Sequence, residues 1–252
     1  YYENYLYQRK DFREPEDEVE RLKNFSSIKL NGEFDTSYYE ENFKNNIFNR
    51  IELKTQKLRG RKHLRSSKLY KNKIITKNLI DYLITPLEEK IKYLLDSNFI
   101  ITKIEEIQTL QFAEDKSACW HFDPVPMGYG KVFFYFSSSS DTDGKTEFLP
   151  LNDSLEIIKQ GYNNVPISKR TKDISELTSQ APIKIGDKGK YMIFFSGLML
   201  HKGSYPKYGV RKILSINFLR SPYSWRESFD QIWSIDKLTG KWTPSNWPKH
   251  IY

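Results

Sequence analysis

The chain has 252 residues, 38% apolar and 29% charged, with 40 Lys and Arg against 32 Asp and Glu for a formal charge of +8. That is enough apolar sequence for one large core, and the single cysteine excludes an internal disulfide framework, so a reduced, cytoplasmic protein is expected. No apolar run approaches the roughly 20 residues of a membrane-spanning helix, and no secretory leader pattern opens the chain.

The first residue is Tyr1 and not Met, which leaves a preceding or removed segment open. Residues 1–30 are polar and mixed in charge, with Pro15 opening a short predicted helix through Glu20 and Leu22 toward Phe25. Residues 31–50, rich in Asn, Tyr and Glu, read as an irregular wrapping segment. Residues 51–80 hold ten Lys or Arg against the single acid Glu52, so the net basicity of the chain is local to this window. A solvated face is its ordinary reading. A collar drawing in an anionic substrate and a nucleic-acid footprint are the alternatives. Aromatic interleaving is thin there, with only Tyr70, so nucleic acid is not the expected partner.

Thr85-Pro86-Leu87-Glu88 reads as a helix start, with Thr85 as N-cap, Pro86 at the first helical position and Glu88 closing a capping box. Leu87, Ile91, Leu94 and Leu95 then share one apolar face. From Phe99 the pattern turns to strands: Phe99 to Phe112, Cys119 to Asp123 closed by Pro124 and Pro126, Lys131 to Phe136, and Thr146 to Leu149 closed by Pro150. A turn-rich loop covers Ser137 to Gly144. Residues 151–186, with one predicted helix near Leu155–Gln160, are long for a connection and read as a lid. Lys190 to Phe195 and Arg211 to Leu219 are the last strong strands, and the tail with Trp233, Trp242 and Trp247 reads as a cap, a dimer contact being the alternative. The whole predicts one mainly β domain with flanking helices: a wrapping region over 1–98, a β core over 99–220 carrying the 151–186 insertion, and a cap over 221–252. Nothing in the sequence sets the oligomeric state.

Trp120-His121-Phe122-Asp123 stands out in a chain with four histidines. On a strand, the side-chain period of two puts His121 and Asp123 on one face. A second His would complete two imidazoles and a carboxylate, the set that holds Fe(II) with open positions for substrate and oxygen, and His201 is the candidate. Cys119 reads as a small packed residue, and His63 and His250 as surface residues without a neighbouring ligand.

Together with Gly144 to Pro150, Gly186-Asp187, the strand Tyr191 to Phe195, Leu200-His201, and Arg211 to Ser215 ten residues after His201, these residues resemble the Fe(II)/2-oxoglutarate-dependent dioxygenases, in the phytanoyl-CoA hydroxylase-like branch. The resemblance covers about residues 107–219. It implies a double-stranded β-helix (jelly-roll, cupin-type) core and Fe(II) held by His121, Asp123 and His201. It also implies 2-oxoglutarate as cosubstrate with O2, and Arg211 as the bidentate partner of the distant 2-oxoglutarate carboxylate. Ser215, Gln111 and Tyr135 are candidates for further cosubstrate contacts. The implied reaction oxidises, first of all hydroxylates, an unactivated C–H bond of a small molecule, with succinate and CO2 formed. A protein or nucleic-acid substrate, and a non-catalytic cupin-type metal- or sugar-binding module, are the rival readings. The chain departs from many relatives at Ile213, where they carry Ser or Thr, at Leu151-Asn152-Asp153 after Pro150, and at Asn217, where nucleic-acid demethylases carry a second arginine.

Overall fold

Ten consecutive residues, Arg211–Arg220, form the strand on which the fold is assembled, and all but Lys212 and Arg220 are buried. Such a run has no solvated face, so both sides of the strand must be covered. The computed structural model describes residues 29–42, 63–66, 73–109, 118–125, 128–137, 144–162, 169–206, 210–227, 233–235 and 242–244. In chain order the described strands are β1 (Asn31–Glu33), β2 (His63–Ser66), β3 (Phe99–Thr109), β4 (Tyr129–Tyr135), β5 (Thr146–Phe148), β6 (Ile183–Ile185), β7 (Lys190–Phe195), β8 (His201–Gly203), β9 (Arg211–Arg220), β10 (Trp233–Ile235) and β11 (Trp242–Pro244). Helices α1 (Ser37–Asn42), α2 (Lys73–Ile84), α3 (Glu88–Leu95) and α4 (Leu151–Lys159) accompany them.

The strands form a six-stranded sheet in the order β1-β7-β4-β9-β3-β2, a three-stranded sheet β6-β5-β8, and the pair β10-β11. All pairings are antiparallel. Partners across a ladder share a face, so Val132, Phe134, Leu214, Ile216 and Phe218 line one side of the large sheet, and Lys131, Phe133, Tyr135, Phe194, Arg211, Ile213, Ser215 and Asn217 the other. The first side shares a core with Leu79, Ile80 and Leu83 of α2 and Ile91, Leu94 and Leu95 of α3. The second faces the small sheet, where the Phe194 ring meets Phe148 edge-on at 4.8 Å. Each side of β9 is therefore buried by a different layer. Gly130 keeps the first side closed: opposite Phe218, a Cβ there would lie 2.2 Å from its ring.

Thr85 does not start a helix, because α2 runs into it and continues through a 3-10 turn, Thr85–Leu87, into α3, with no side-chain cap at either junction. Pro86 has no N–H to donate, and the apolar stripe on both sides makes the chain tighten there and not stop. The Thr85 hydroxyl instead accepts from Arg226 at 2.6 Å, and Glu88 pairs with Lys92 and Arg226. The segment read as irregular wrapping holds β1, an edge strand on β7, and α1. The helix expected near Leu155–Gln160 begins directly after Pro150 and buries Leu151, Ser154, Leu155 and Ile157. Within 151–186, β6 pairs with β5, so this insertion is partly built into the small sheet.

Cys119–Asp123 is not a strand: the segment bends, and His121 alone bridges to His201. The Trp120 N–H is spent on Thr171 O at 2.8 Å, which takes the backbone out of any ladder. In β3 the register against β9 shifts between Ile101 and Lys103, a bulge at Thr102 that reverses which residues face the small sheet beyond it. The helix expected after Pro15, Gln111, Tyr70, His250 and Trp247 lie outside the described residues.

Candidate metal centre

Three hydrogen bonds position the His-x-Asp segment. His121 N–H donates to His201 O at 3.0 Å, His201 N–H returns the bond to His121 O at 3.1 Å, and Asp123 N–H donates to Ser196 O at 2.8 Å. His121 is thereby fixed to the first residue of β8, and Asp123 to the residue that follows β7. On the other edge of β8, His201 pairs with Phe148 of β5. Donor atoms of His121, Asp123 and His201 lie within 4.8 Å of one another, a set that could hold a metal ion. His121 Nε2 is 3.7 Å from Asp123 Oδ1, and His201 Nε2 is 3.9 Å from Asp123 Oδ2.

Both imidazoles are oriented by the same device. His121 Nδ1 lies 2.8 Å from Cys119 O, and His201 Nδ1 lies 2.9 Å from Met199 O. A carbonyl can only accept, so each Nδ1 carries the proton and each Nε2 presents a bare lone pair to Asp123, the orientation metal-binding histidines take. Phe148 stacks on His201 at 6.4 Å and Phe194 meets it edge-on at 5.2 Å. Burial pushes His201 down to about 3, helped by the facing His121 ring, and burial also holds His121 below its ordinary value. Burial alone would raise the Asp123 carboxyl, but His201, Lys131 and His121 outweigh it and hold it well below the usual carboxylate range. The resting set is two neutral imidazoles and one carboxylate, ready to accept a dication without first losing protons.

Lys131 was not singled out by the sequence, and it occupies the centre. Its ammonium makes a short ion pair with Asp123 Oδ2, with 18% of the lysine side chain exposed. A lone lysine at the head of an otherwise apolar strand, eight residues after Asp123, was the available signal. Arg170 also missed notice. It precedes Thr171, whose carbonyl holds Trp120, and its charge acts on His121.

A second polar cluster sits at the far end of β5. Arg211 is 5% exposed, its Nη1 donates to Gly144 O and Ser204 O at 2.9 Å each, and its Nη2 donates to Thr109 Oγ1 at 3.2 Å. Gly144, at φ +91 and packed on Pro206, can turn its carbonyl toward Arg211 at no Cβ cost. Among the described residues no carboxylate pairs with this guanidinium, and its Nε has no partner. Tyr135 and Thr146 are close enough to influence each other, yet neither hydroxyl makes a hydrogen bond of normal geometry. Burial pushes the Tyr135 phenol well up, so it stays a neutral donor.

Ser215, on the same sheet face, donates to Asn217 Oδ1 at 2.8 Å, and Asn217 Nδ2 donates to the Tyr129 hydroxyl at 2.9 Å. Its donor is thus committed away from Arg211. Phe122, between the two candidate ligands, packs against Trp120, Leu149, Ile157, Ile174 and Leu200.

No protein-family model and no curated protein matches the chain. Solved structures do. HygX from Streptomyces hygroscopicus, with nickel and 2-oxoglutarate bound, is 13% identical at a TM-score of 0.50, over 81% of this chain and 88% of that one. That likeness shows a shared fold. The non-heme alpha ketoglutarate dependent carbocyclase SnoK from nogalamycin biosynthesis is a looser match, 9% identical at 0.43 over 67% and 69%. The non-heme monooxygenase ThoJ in complex with Ni is 11% identical at 0.38 over 58% of this chain, which spans 54% of ThoJ. Among the described residues no helix is long and apolar enough to cross a membrane.

Proposed function

We propose that this chain is an Fe(II)- and 2-oxoglutarate-dependent oxygenase, built on a double-stranded β-helix (jelly-roll, cupin-type) core and belonging to the phytanoyl-CoA hydroxylase-like branch. The observation that carries this reading is the placement, at the two ends of β5, of a two-His, one-carboxylate set and a buried guanidinium that pairs with no carboxylate among the described residues. Phe148 is level with His201, and Thr146, two residues away on the same face, sits with Tyr135 near Arg211. That step is about 7 Å along the strand, the length scale of a five-carbon diacid.

The residues fit both groups. His121 Nε2, His201 Nε2 and an Asp123 oxygen would hold Fe(II), a donor set that suits it and leaves positions open. Arg211, Thr109, Tyr135 and Thr146 would hold the distant carboxylate of 2-oxoglutarate: a buried cation with no anion among the described residues, and two buried hydroxyls without a hydrogen bond of normal geometry, are a cradle that a carboxylate would satisfy. When bound, iron and 2-oxoglutarate supply the oxidation of a substrate C–H bond by O2, with succinate and CO2 as coproducts. The chain's own part is positional. Cys119 O and Met199 O hold the imidazole protons on Nδ1, Phe148 and Phe194 keep water from His201, and Arg211 fixes the cosubstrate at one end.

A small-molecule substrate suits a recessed centre whose three donor side chains are between 7% and 20% exposed. The 151–186 segment would serve as its lid, being held at Trp120 through Thr171 and Tyr162. Positive charge from Lys131 and Arg170 beside the site favours an anionic substrate. A cytoplasmic location belongs to the same reading, with Cys119 free. Anaerobic addition of Fe(II) and 2-oxoglutarate should produce a weak visible charge-transfer band that is lost in His201→Ala. An intact chain that develops no band would end the oxygenase reading.

A further inference from the structure

Among the described residues, Asp123 is the one acid that Lys131 pairs with, and it is also the one carboxylate of the metal-binding set. The same oxygen, Oδ2, faces both the Lys131 ammonium and His201 Nε2. A dication drawn in by that set would take the carboxylate and come to rest beside an ammonium that is mostly out of water, where like charges are poorly screened. Lys131 cannot easily leave. It lies between Phe194 and Asn217 across the ladder, on the sheet face directed at the small sheet. The repulsion is relieved when an anion reaches the same space, and Arg211 lies on that face too, with no carboxylate paired to it among the described residues.

Building on the oxygenase reading, we propose that Lys131 couples the metal to the cosubstrate: it opposes the bare dication through Asp123 and then receives the metal-side carboxylate of 2-oxoglutarate, so that metal and cosubstrate are each bound tightly only together. The coupling is reciprocal by thermodynamic necessity, so it can be read from either ligand. A lysine serving only to orient Asp123 would act in the opposite sense, because its removal would weaken metal binding.

The test is calorimetric titration of Ni(II) into the full chain, with and without saturating 2-oxoglutarate, for the natural protein, Lys131→Met and Lys131→Arg. Methionine keeps most of the apolar stem, and far-ultraviolet circular dichroism checks folding; Lys131→Gln is the second neutral variant. In the natural protein 2-oxoglutarate should tighten Ni(II) about tenfold or more. Lys131→Met should bind Ni(II) alone about tenfold tighter than the natural protein and lose most of the enhancement, while Lys131→Arg retains it. Ni(II) binding alone that is unchanged or weaker in both neutral variants, or an enhancement that survives them, overturns the proposal. A natural protein that binds Ni(II) and ignores 2-oxoglutarate would sink the oxygenase reading instead, and the comparison without 2-oxoglutarate would still decide whether Lys131 opposes the metal.

Discussion

His121 and His201 are joined as mirror partners: each backbone N–H donates to the other's carbonyl, at 3.0 and 3.1 Å, and each ring donates Nδ1–H to the carbonyl two residues before it. The rings stand 4.5 Å apart, centroid to centroid. Two imidazoles this close and this buried resist protonation, since a charge on either would be felt by the other.

The metal-free protein should therefore lose stability on mild acidification. In the folded state burial holds both rings below their ordinary value, His201 at about 3. The unfolded chain protonates them near 6.5, so below that pH it binds more protons than the folded chain and is favoured. Between pH 7.5 and pH 5, His201 should account for a loss of roughly 2 kcal/mol. Urea unfolding at the two pH values measures this. His201→Gln should flatten the dependence, and a natural protein equally stable at both would refute it.

Arg211→Lys should weaken 2-oxoglutarate far more than the metal. Lysine offers a point charge where the guanidinium reaches Gly144 O, Ser204 O and Thr109 Oγ1 and still presents an unpartnered Nε. Loss of a charge-assisted bond is worth roughly 1.5–3 kcal/mol, a factor of about 10 to 150 in affinity. Equal losses for Ni(II) and 2-oxoglutarate would show that Arg211 acts on the fold and not on the cosubstrate.

Tyr135→Phe should behave unlike an ordinary core mutation. The hydroxyl is buried without a normal hydrogen bond, so deleting it should leave the ligand-free protein as stable or slightly more stable, while 2-oxoglutarate binding falls by about 1 kcal/mol or more. Thermal melts with and without 2-oxoglutarate separate the two effects. A large destabilisation of the ligand-free protein would mean that the hydroxyl is satisfied after all.

Much of the β core was legible because its signals are local. β4, β7 and β9 are apolar runs bounded by turn residues, and they fall within a residue or two of their expected limits. The stripe Leu87, Ile91, Leu94, Leu95 is buried as expected, although its helix begins elsewhere. Thr85 misled because a Thr-Pro-x-Glu sequence is the same whether the preceding chain is coil or helix. The bulge at Thr102 was invisible for a related reason, since an inserted residue shows itself only against a partner strand.

The sequence by itself determined which residues could serve as ligands, because donor chemistry belongs to side-chain type, and His121, Asp123 and His201 do converge. It did not determine how. The expected strand would have aligned His121 and Asp123 by its own periodicity, whereas a bend does so, held by hydrogen bonds to His201 and Ser196 far along the chain. Tyr135 was a candidate from the sequence, but Lys131 beside Asp123, and Thr146 beside Tyr135 and Arg211, came from tertiary structure. Which faces meet is set by pairing register between strands distant in sequence, and one residue of slip would have turned each of these side chains to the other layer.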